Sequence, residues 1–192
     1  MATKSNSKRR PADNPFRVQR HPSIRYATGS ALTAFAKRLA ALHHRAALVG
    51  PHGTGKTTLR EDLERHYLRL GWRIVRLAFH PHTWPPWNAW GAVLAAPRDR
   101  TLVTVDGVEQ LPRPLWRLLR SVRRGPLLVT SHHDCGLPVL HRHTTDSTVL
   151  QQIVEALGGP RALDYDALWA KHDGNIRSCL LDCYDRWATG AL

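Results

Sequence analysis

Short apolar runs alternate with amphipathic segments along most of this chain of 192 residues. The apolar runs are typical of buried strands and cover residues 46–49, 72–79, 101–105 and 126–130. Before and between them, apolar residues recur every three or four positions, which indicates helices with one buried face. These helices are expected over about 28–42, over 58–70, up to about residue 96 and over 114–124. Strands that alternate with helices predict an α/β fold, with helices flanking a parallel sheet.

The helix expected at 114–124 carries two chemically distinct sets of side chains. Proline is favourable in a first turn, and Pro114 occupies that position, while Gly125 follows the end of the helix. The apolar set is expected to face the core and consists of Leu115, Leu118, Leu119 and Val122. The basic set is expected to face solvent and consists of Arg113, Arg117, Arg120, Arg123 and Arg124.

The remaining chain predicts a small C-terminal helical part. Residues 131–147 are rich in His, Gly, Pro and Thr and predict mainly loop, with a short fifth strand near residues 143–145. Helices are expected at about 148–157, 164–172 and 176–188. A chain of this length supports one main domain with a small appendage. We therefore expect a mobile basic arm (1–27), a main α/β domain (28–147) and a small helical lid (148–192).

Charge is unevenly distributed along the chain, whose formal net charge is +13. Residues 1–130 contain 23 basic against 7 acidic side chains, and residues 131–192 contain 5 against 8. A basic surface attracts DNA or another polyanion, although arginine-rich composition alone produces the same count. Trp84, Trp87 and Trp90 add either a partner or base-stacking surface, or a clamp that holds a loop on the core.

Composition also bears on location. No apolar stretch approaches the roughly 20 residues that cross a bilayer, and Met1 to Arg10 is basic without a following apolar segment. The three cysteines are too few for a disulfide framework. We therefore expect a cytoplasmic protein without a membrane partner.

Histidines cluster with Cys135 between residues 132 and 143, but their spacing matches no paired zinc-ligand motif.

The most specific motif lies between the first strand and the second helix. It reads Gly50-Pro51-His52-Gly53-Thr54-Gly55-Lys56-Thr57, followed by Thr58. Glycines let the backbone approach a ligand, so successive amide groups can point at phosphate oxygens. Lys56 adds a positive charge, Thr57 offers a hydroxyl to Mg²⁺, and the following helix directs its N-terminal dipole at the phosphates. The pattern predicts a phosphate-binding loop of the Walker A type.

Polar residues end the third and fourth predicted strands. Asp106 follows an apolar run, as a Walker B carboxylate does, and can bind Mg²⁺ opposite Thr57. Glu109, three residues later, can polarise an attacking water, or it is a solvated turn residue. Thr130 and Ser131 can position a γ-phosphate or the water, or they make ordinary turn hydrogen bonds.

In the order of these parts the chain resembles the AAA+ and STAND group of P-loop ATPases. The spacing of Asp106-Gly107-Val108-Glu109 is most similar to the NACHT subgroup. Gly174-Asn175-Ile176-Arg177 resembles the start of the last helix in the AAA+ lid. The resemblance implies that Arg177 contacts the γ-phosphate from the lid. An arginine finger is missing or displaced, and the nearby candidates are Arg142, Arg123 and Arg124.

The resemblance implies a protein that binds ATP with Mg²⁺ and hydrolyses it to drive a conformational change, on DNA or a protein partner. In such proteins the active site is often completed by a neighbouring subunit, so a homo-oligomer is one expected state. Two alternatives remain open. One is a small-molecule kinase, and the other is a nucleotide-dependent binding module with negligible turnover. The motifs do not decide between adenine and guanine.

Overall fold

A computed structural model of the protein describes residues 10–17, 26, 29–79 and 84–192. The chain forms two compact units, one of residues 25–144 and one of residues 145–192 together with 1–24. Within the described ranges, no helix has both the length and the apolar character needed to cross a membrane. Most of the predicted arm lies outside the described residues, but residues 10–17 do not: they belong to the smaller unit.

The larger unit is built on a parallel sheet. Its strands are β1 (Arg45–Val49), β2 (Arg73–Ala78), β3 (Thr101–Asp106), β4 (Leu127–Ser131) and β5 (Val139–Arg142). The five strands lie in the order β2-β3-β4-β1-β5, and every pairing is parallel. The predicted α/β class with a parallel sheet is therefore confirmed. The fifth strand was wrongly placed at residues 143–145, because the backbone pairs with β1 from Val139 onward and His143 makes only the last bond, to Val49 O (2.6 Å).

Helices cover both faces of this sheet. They are α1 (Gly29–Ala41), α2 (Lys56–Arg69), α3 (Trp87–Ala95) and α4 (Arg113–Val122), and a 3-10 turn spans Val108–Gln110. Successive strand residues alternate between the faces. Ala46 and Leu48 of β1 pack with α1 and α2, whereas Ala47 and Val49 pack with α3 and α4. Because all strands are parallel, their carboxyl ends meet at one edge, where Gly50, Asp106 and Ser131 lie.

The orientation of α4 differs from the prediction. Trp116 and Leu119 face the sheet, whereas Leu118 is 59% exposed and Leu115 and Val122 are also exposed. The indole N–H of Trp116 donates to the carbonyl of Cys135 at 2.7 Å, which fixes this side of the helix against the following loop. The apolar residues of α4 form two stripes that share Leu119, and only the stripe with Trp116 is buried.

Arg123, predicted to face solvent, is 3% exposed. Its guanidinium donates to the carbonyls of Ala96 (2.6 Å), Pro97 (3.0 Å) and Thr101 (3.4 Å). These carbonyls lie between the end of α3 and the first residue of β3. Arg123 is therefore a structural residue, because buried carbonyls need donors.

The smaller unit consists of α5 (Ser147–Ala156), α6 (Tyr165–Lys171), α7 (Ile176–Thr189) and a 3-10 turn at Pro11–Asp13. Each of the three helices begins at a side-chain cap, supplied by Asp146, Asp164 and Asn175. Phe16 is 1% exposed among the apolar residues of these helices, and Asn14 Nδ2 donates to Tyr184 O at 3.0 Å. The described part of the N-terminal segment thus completes the core of this unit.

Candidate phosphate-binding site

The loop from Gly50 to Gly55 connects β1 directly to α2. Gly53 and Gly55 have φ angles of 71° and 85°, a left-handed conformation that side chains with a Cβ disfavour. Gly55 is the N-cap of α2, and Lys56 is its first residue. The first amide groups of α2 therefore lie beside the loop without intrahelical partners, and they carry the positive end of the helix dipole.

Two aromatic residues outside the motif hold this loop. A Cβ on Gly50 would lie 2.7 Å from the carbonyl oxygen of His143, and a Cβ on Gly55 would lie 2.7 Å from the ring of Tyr26. His143 Nδ1 lies 3.0 Å from the carbonyl of Thr54, and since a carbonyl only accepts, this nitrogen is the donor. Tyr26 N donates to Asp62 Oδ2 of α2 at 2.8 Å. Sequence reasoning missed both residues.

Lys56 is the buried cation of the loop. It is 8% exposed, and its Nζ donates to the carbonyls of Gly50 (2.6 Å) and Pro51. Burial lowers the pKa of the Lys56 ammonium, and the nearby carboxylates of Glu109 and Asp106 oppose this shift. Both predicted acids are therefore close enough to interact with the lysine of the loop.

Asp106 lies at the end of β3, with its carboxylate beside the first turn of α2. The hydroxyl of Thr57 donates to Asp106 Oδ2 at 3.2 Å. The hydroxyl of Thr130 donates to Asp106 Oδ1, and it accepts a bond from Gly107 N at 2.9 Å. In the sheet, β4 lies between β1 and β3. Thr130, near the end of β4, is therefore next to Asp106 at the end of β3. Three of the predicted site residues thus share direct hydrogen bonds.

The other loop residues have separate surroundings. The buried Thr54 hydroxyl donates to Pro51 O at 2.9 Å, which closes the loop on itself. His52 is exposed, Thr58 is half-buried, and the buried Ser131 Oγ accepts a bond from His133 N at 3.3 Å. Ser131 therefore serves the turn after β4, and Thr130 is the hydroxyl that contacts the site.

Glu109 occupies the 3-10 turn after β3 and contacts a histidine that sequence reasoning did not assign. Its Oε1 lies 3.3 Å from His132 Nε2, while its Oε2 is buried without a hydrogen-bond partner among the described residues. The ring of His132 packs edge-on against His52 of the loop, with centroids 3.7 Å apart. Burial lowers the pKa of His132, and Glu109 opposes this shift. In the sequence, the feature that indicates His132 is its position directly after Thr130 and Ser131.

A buried charge network lies behind Asp106. Arg60 Nη2 is 3.8 Å from Asp106 Oδ2, and Arg60 Nη1 is 3.6 Å from the carboxylate of Glu64, whose side chain is 1% exposed. Glu64 also accepts from the hydroxyl of Thr104 (2.7 Å) and from Arg76 Nε (2.6 Å). This network links the metal-binding candidate to β2 through α2. Its sequence signal is a charged pair at positions i and i+4 on the helix that follows the loop.

The remaining arginines predicted for the site have the following surroundings. Arg177 belongs to the smaller unit, where it is exposed in the first turn of α7. Arg142 forms an ion pair with Asp134 at 2.9 Å, and Arg124 is exposed after α4. Arg123 is committed to structural carbonyls as described above. The γ-phosphate contact of Arg177 stays a prediction.

Metal-binding groups in the described residues are sparse. No cluster of three or more His, Cys, Asp or Glu side chains there has a metal-binding arrangement. Cys179 and Cys183 are buried in the core of the smaller unit, where burial raises the pKa of each thiol to about 11. The candidate Mg²⁺ ligands are therefore one hydroxyl and one carboxylate, Thr57 and Asp106. Such a set is typical of Mg²⁺, which keeps several of its waters.

No protein-family model matches this chain, and no curated protein matches it. The chemistry of the site is therefore inferred from its own residues.

Proposed function

We propose that this protein binds ATP with Mg²⁺ and hydrolyses it to drive a conformational change. The observation that carries the proposal is the 3.2 Å contact between Thr57, in the first turn of α2, and Asp106, at the end of β3. A glycine loop alone is a turn, and a carboxylate alone is a surface charge. Together they supply phosphate donors and a metal ligand on one edge of the sheet.

The loop residues would bind the triphosphate. The amides of Gly53 to Thr57 lie in the loop and the first turn of α2, so their N–H groups and the helix dipole favour a bound anion. Lys56 would exchange its bonds to Gly50 O and Pro51 O for phosphate oxygens. A bond from the ammonium to a phosphate has an ionised donor and an ionised acceptor, whereas the bonds that it replaces end on neutral carbonyl oxygens. Thr58 follows on the same turn of the helix.

Thr57 and Asp106 fit a divalent metal. Two hard oxygen ligands converge there, and Thr130 orients the carboxylate by donating to its Oδ1. A bound Mg²⁺ would neutralise charge on the phosphate oxygens. Arg60 Nη2, 3.8 Å from Asp106 Oδ2, adds a positive charge beside this carboxylate.

Glu109 would orient the attacking water. Its Oε2 is buried without a partner in the described structure, so this oxygen retains an acceptor site for a water proton. His132 holds Oε1 and thereby sets the plane of the carboxylate. General-base assistance of this kind contributes about 10²- to 10⁴-fold to a rate. Loss of the γ-phosphate would then release whatever contacts it made, Arg177 of the predicted lid included.

A nucleotide-dependent switch with negligible turnover is the second candidate. The contact of Glu109 with His132 favours it, because the imidazole occupies the Oε1 side of this carboxylate and leaves only Oε2 to accept from a water. Both candidates need the same loop and metal ligands, so they differ only in turnover.

The test measures binding of a fluorescent ATP analogue and release of ADP by the full chain. Lys56→Ala and Asp106→Asn should weaken Mg²⁺-dependent binding, by about tenfold or more, since each removes a charged contact to phosphate or metal. The exposed Lys37→Ala and Asp134→Asn serve as matched controls and should leave binding unchanged. Absence of Mg²⁺-dependent binding by the parent protein would refute the proposal.

Glu109→Gln separates the two candidates. Hydrolysis should fall by about 10²-fold or more with binding preserved if Glu109 orients water. A parent protein that binds ATP but releases no ADP, with or without DNA, is a switch. ADP release that requires a small hydroxyl compound would instead identify a kinase. Repeating the assay over protein concentration, with and without DNA, reports a subunit-completed site and a nucleic-acid partner.

A further inference from the structure

Arginines are concentrated at the edge of the sheet where the strands begin, which is opposite the phosphate loop. Because the strands are parallel, the starts of β2, β3 and β4 lie side by side there. Two backbone bonds hold this arrangement: Arg73 N donates to Arg100 O at 2.8 Å, and Val103 N donates to Pro126 O at 3.2 Å. Five exposed arginines form what we call the arginine edge: Arg69, Arg73, Arg98, Arg100 and Arg124.

The guanidinium groups of the arginine edge have no polar partner among the described residues. None of them donates a hydrogen bond to, or forms an ion pair with, another described residue. A helix dipole favours a cation in the last turn of the helix, and Arg69 ends α2. Arg98 and Arg124, however, follow the ends of α3 and α4, and Arg73 begins β2. The helix dipoles therefore account for one of the five arginines.

Of the seven acidic residues in the larger unit, one lies at the arginine edge. Three lie at or beyond the carboxyl ends of β3 and β4: Asp106, Glu109 and Asp134. Three belong to α2, where arginines pair with them: Glu61, Asp62 and Glu64. The seventh is Asp99, which is exposed between Arg98 and Arg100 and forms no ion pair with a described residue. The edge thus carries five positive charges against one negative charge.

We propose that the arginine edge binds the sugar-phosphate backbone of a nucleic acid duplex. The five cations are all arginine, whose planar guanidinium can donate two N–H groups to one phosphate. Neighbouring strands lie about 4.8 Å apart, so the starts of β2 and β4 are separated by about 10 Å. Over that length each chain of a duplex carries about three phosphates. The arginines therefore lie at a density similar to that of the phosphates.

Recognition of bases is not expected at the arginine edge. Trp72 precedes Arg73, but it packs against His44 and Tyr67, with ring centroids 4.6 Å and 4.9 Å apart. Its ring is thereby engaged within the larger unit, whereas base stacking needs a free aromatic face. Phosphate contacts alone carry no sequence information, so duplexes of different sequence should bind equally. Binding here does not require the phosphate loop, which lies at the opposite edge of the sheet.

The experiment follows the fluorescence anisotropy of a labelled DNA duplex, titrated with the full chain in the absence of ATP and at several salt concentrations. The logarithm of the association constant should fall linearly with the logarithm of the salt concentration. The slope should be about −4.5 if all five arginines contact phosphates. Leu68 and Leu70 are exposed near Arg69, so phosphatidylserine vesicles are a second ligand, and polyglutamate is a third. Both should bind at least tenfold more weakly than the duplex at equal charge.

Single substitutions locate the contacts. Arg73→Gln and Arg100→Gly should each weaken duplex binding by about fivefold or more and make the salt slope shallower by about 0.9. Glycine suits the φ of 43° at Arg100, so the second change preserves the turn. Asp99→Asn removes the one repelling charge and should tighten binding. Arg113→Gln is the matched control, at an exposed arginine in the first turn of α4, and it should keep the parent slope.

Four results would overturn this assignment. They are no duplex binding at low salt, equal effects of Arg73→Gln and Arg113→Gln, weaker binding by Asp99→Asn, and vesicles or polyglutamate that bind as tightly as the duplex. Because ATP is absent throughout, none of these results bears on whether the phosphate loop binds a nucleotide.

Discussion

Stability below neutral pH should depend on His143, a buried histidine beside the phosphate loop. Its Nδ1 donates to Thr54 O, and its Nε2 is buried without a hydrogen-bond partner among the described residues. Protonation of Nε2 would therefore place an unpaired charge in the interior, next to Lys56 and His141. Burial, together with His141 and Lys56, lowers the pKa of His143 from its ordinary value of 6.5 to about 4.

The direction in which stability changes with pH follows from proton binding in the folded and unfolded states. Between pH 6.5 and about pH 4 the unfolded chain binds a proton at this position and the folded chain does not. Unfolding is then favoured as the pH falls, and the stability of the folded state decreases across this window. A pKa difference from 6.5 to about 4 corresponds to about 3 kcal/mol. Above pH 6.5 the histidine is neutral in both states and contributes nothing to the pH dependence.

The perturbation is His143→Asn, which keeps a donor for Thr54 O and does not titrate. Urea denaturation at several pH values between 4 and 7.5 gives the free energy of unfolding for parent and variant. As the pH approaches 4, the free energy of unfolding of the parent should fall by about 3 kcal/mol more than that of the variant. His43→Asn is the control, at an exposed residue whose φ of 53° asparagine tolerates, and it should retain the parent slope. Equal slopes for parent and His143→Asn would refute the reasoning.

Two further substitutions test the packing around the site. Gly55→Ala places a Cβ 2.7 Å from the ring of Tyr26 at a φ of 85°, and should lower the free energy of unfolding by about 1–3 kcal/mol and weaken nucleotide binding. Gly71→Ala, at φ 79° with open space around it, should lower the free energy of unfolding only by the cost of the left-handed backbone. Arg123→Met removes the donors to three carbonyls and should cost about 1–3 kcal/mol, measured by urea denaturation. Arg124→Met, at the exposed neighbouring residue, should change the free energy of unfolding by no more than about 0.5 kcal/mol.

Each of these has a result that contradicts it. Equal losses for Gly55→Ala and Gly71→Ala would show that Tyr26 moves away without cost. Equal stability of Arg123→Met and Arg124→Met would show that other donors, or water, satisfy the carbonyls that Arg123 contacts.

The fold class and the loop follow from local sequence. Gly53, Gly55 and Lys56 are contiguous, and the left-handed backbone that they need is a property of each glycine alone. The apolar runs and the helical periods likewise act within one element, so the strands and helices were predictable with shifts at their ends. The proximity of Asp106 to Thr57 was inferred from the position of Asp106 at the end of an apolar strand, as in a Walker B motif, and the two side chains share a hydrogen bond.

Tertiary structure decided which of several equivalent local patterns is used. Along α4 two apolar stripes satisfy the same helical period, and the sheet together with Cys135 O selected the one that contains Trp116. Arg123 is buried because carbonyls from a distant segment need donors there. Glu109 meets His132 since their strands are neighbours, although 22 residues separate them in the chain. Local sequence sets each backbone conformation, but only packing between distant segments determines which side chains are buried and which charges meet.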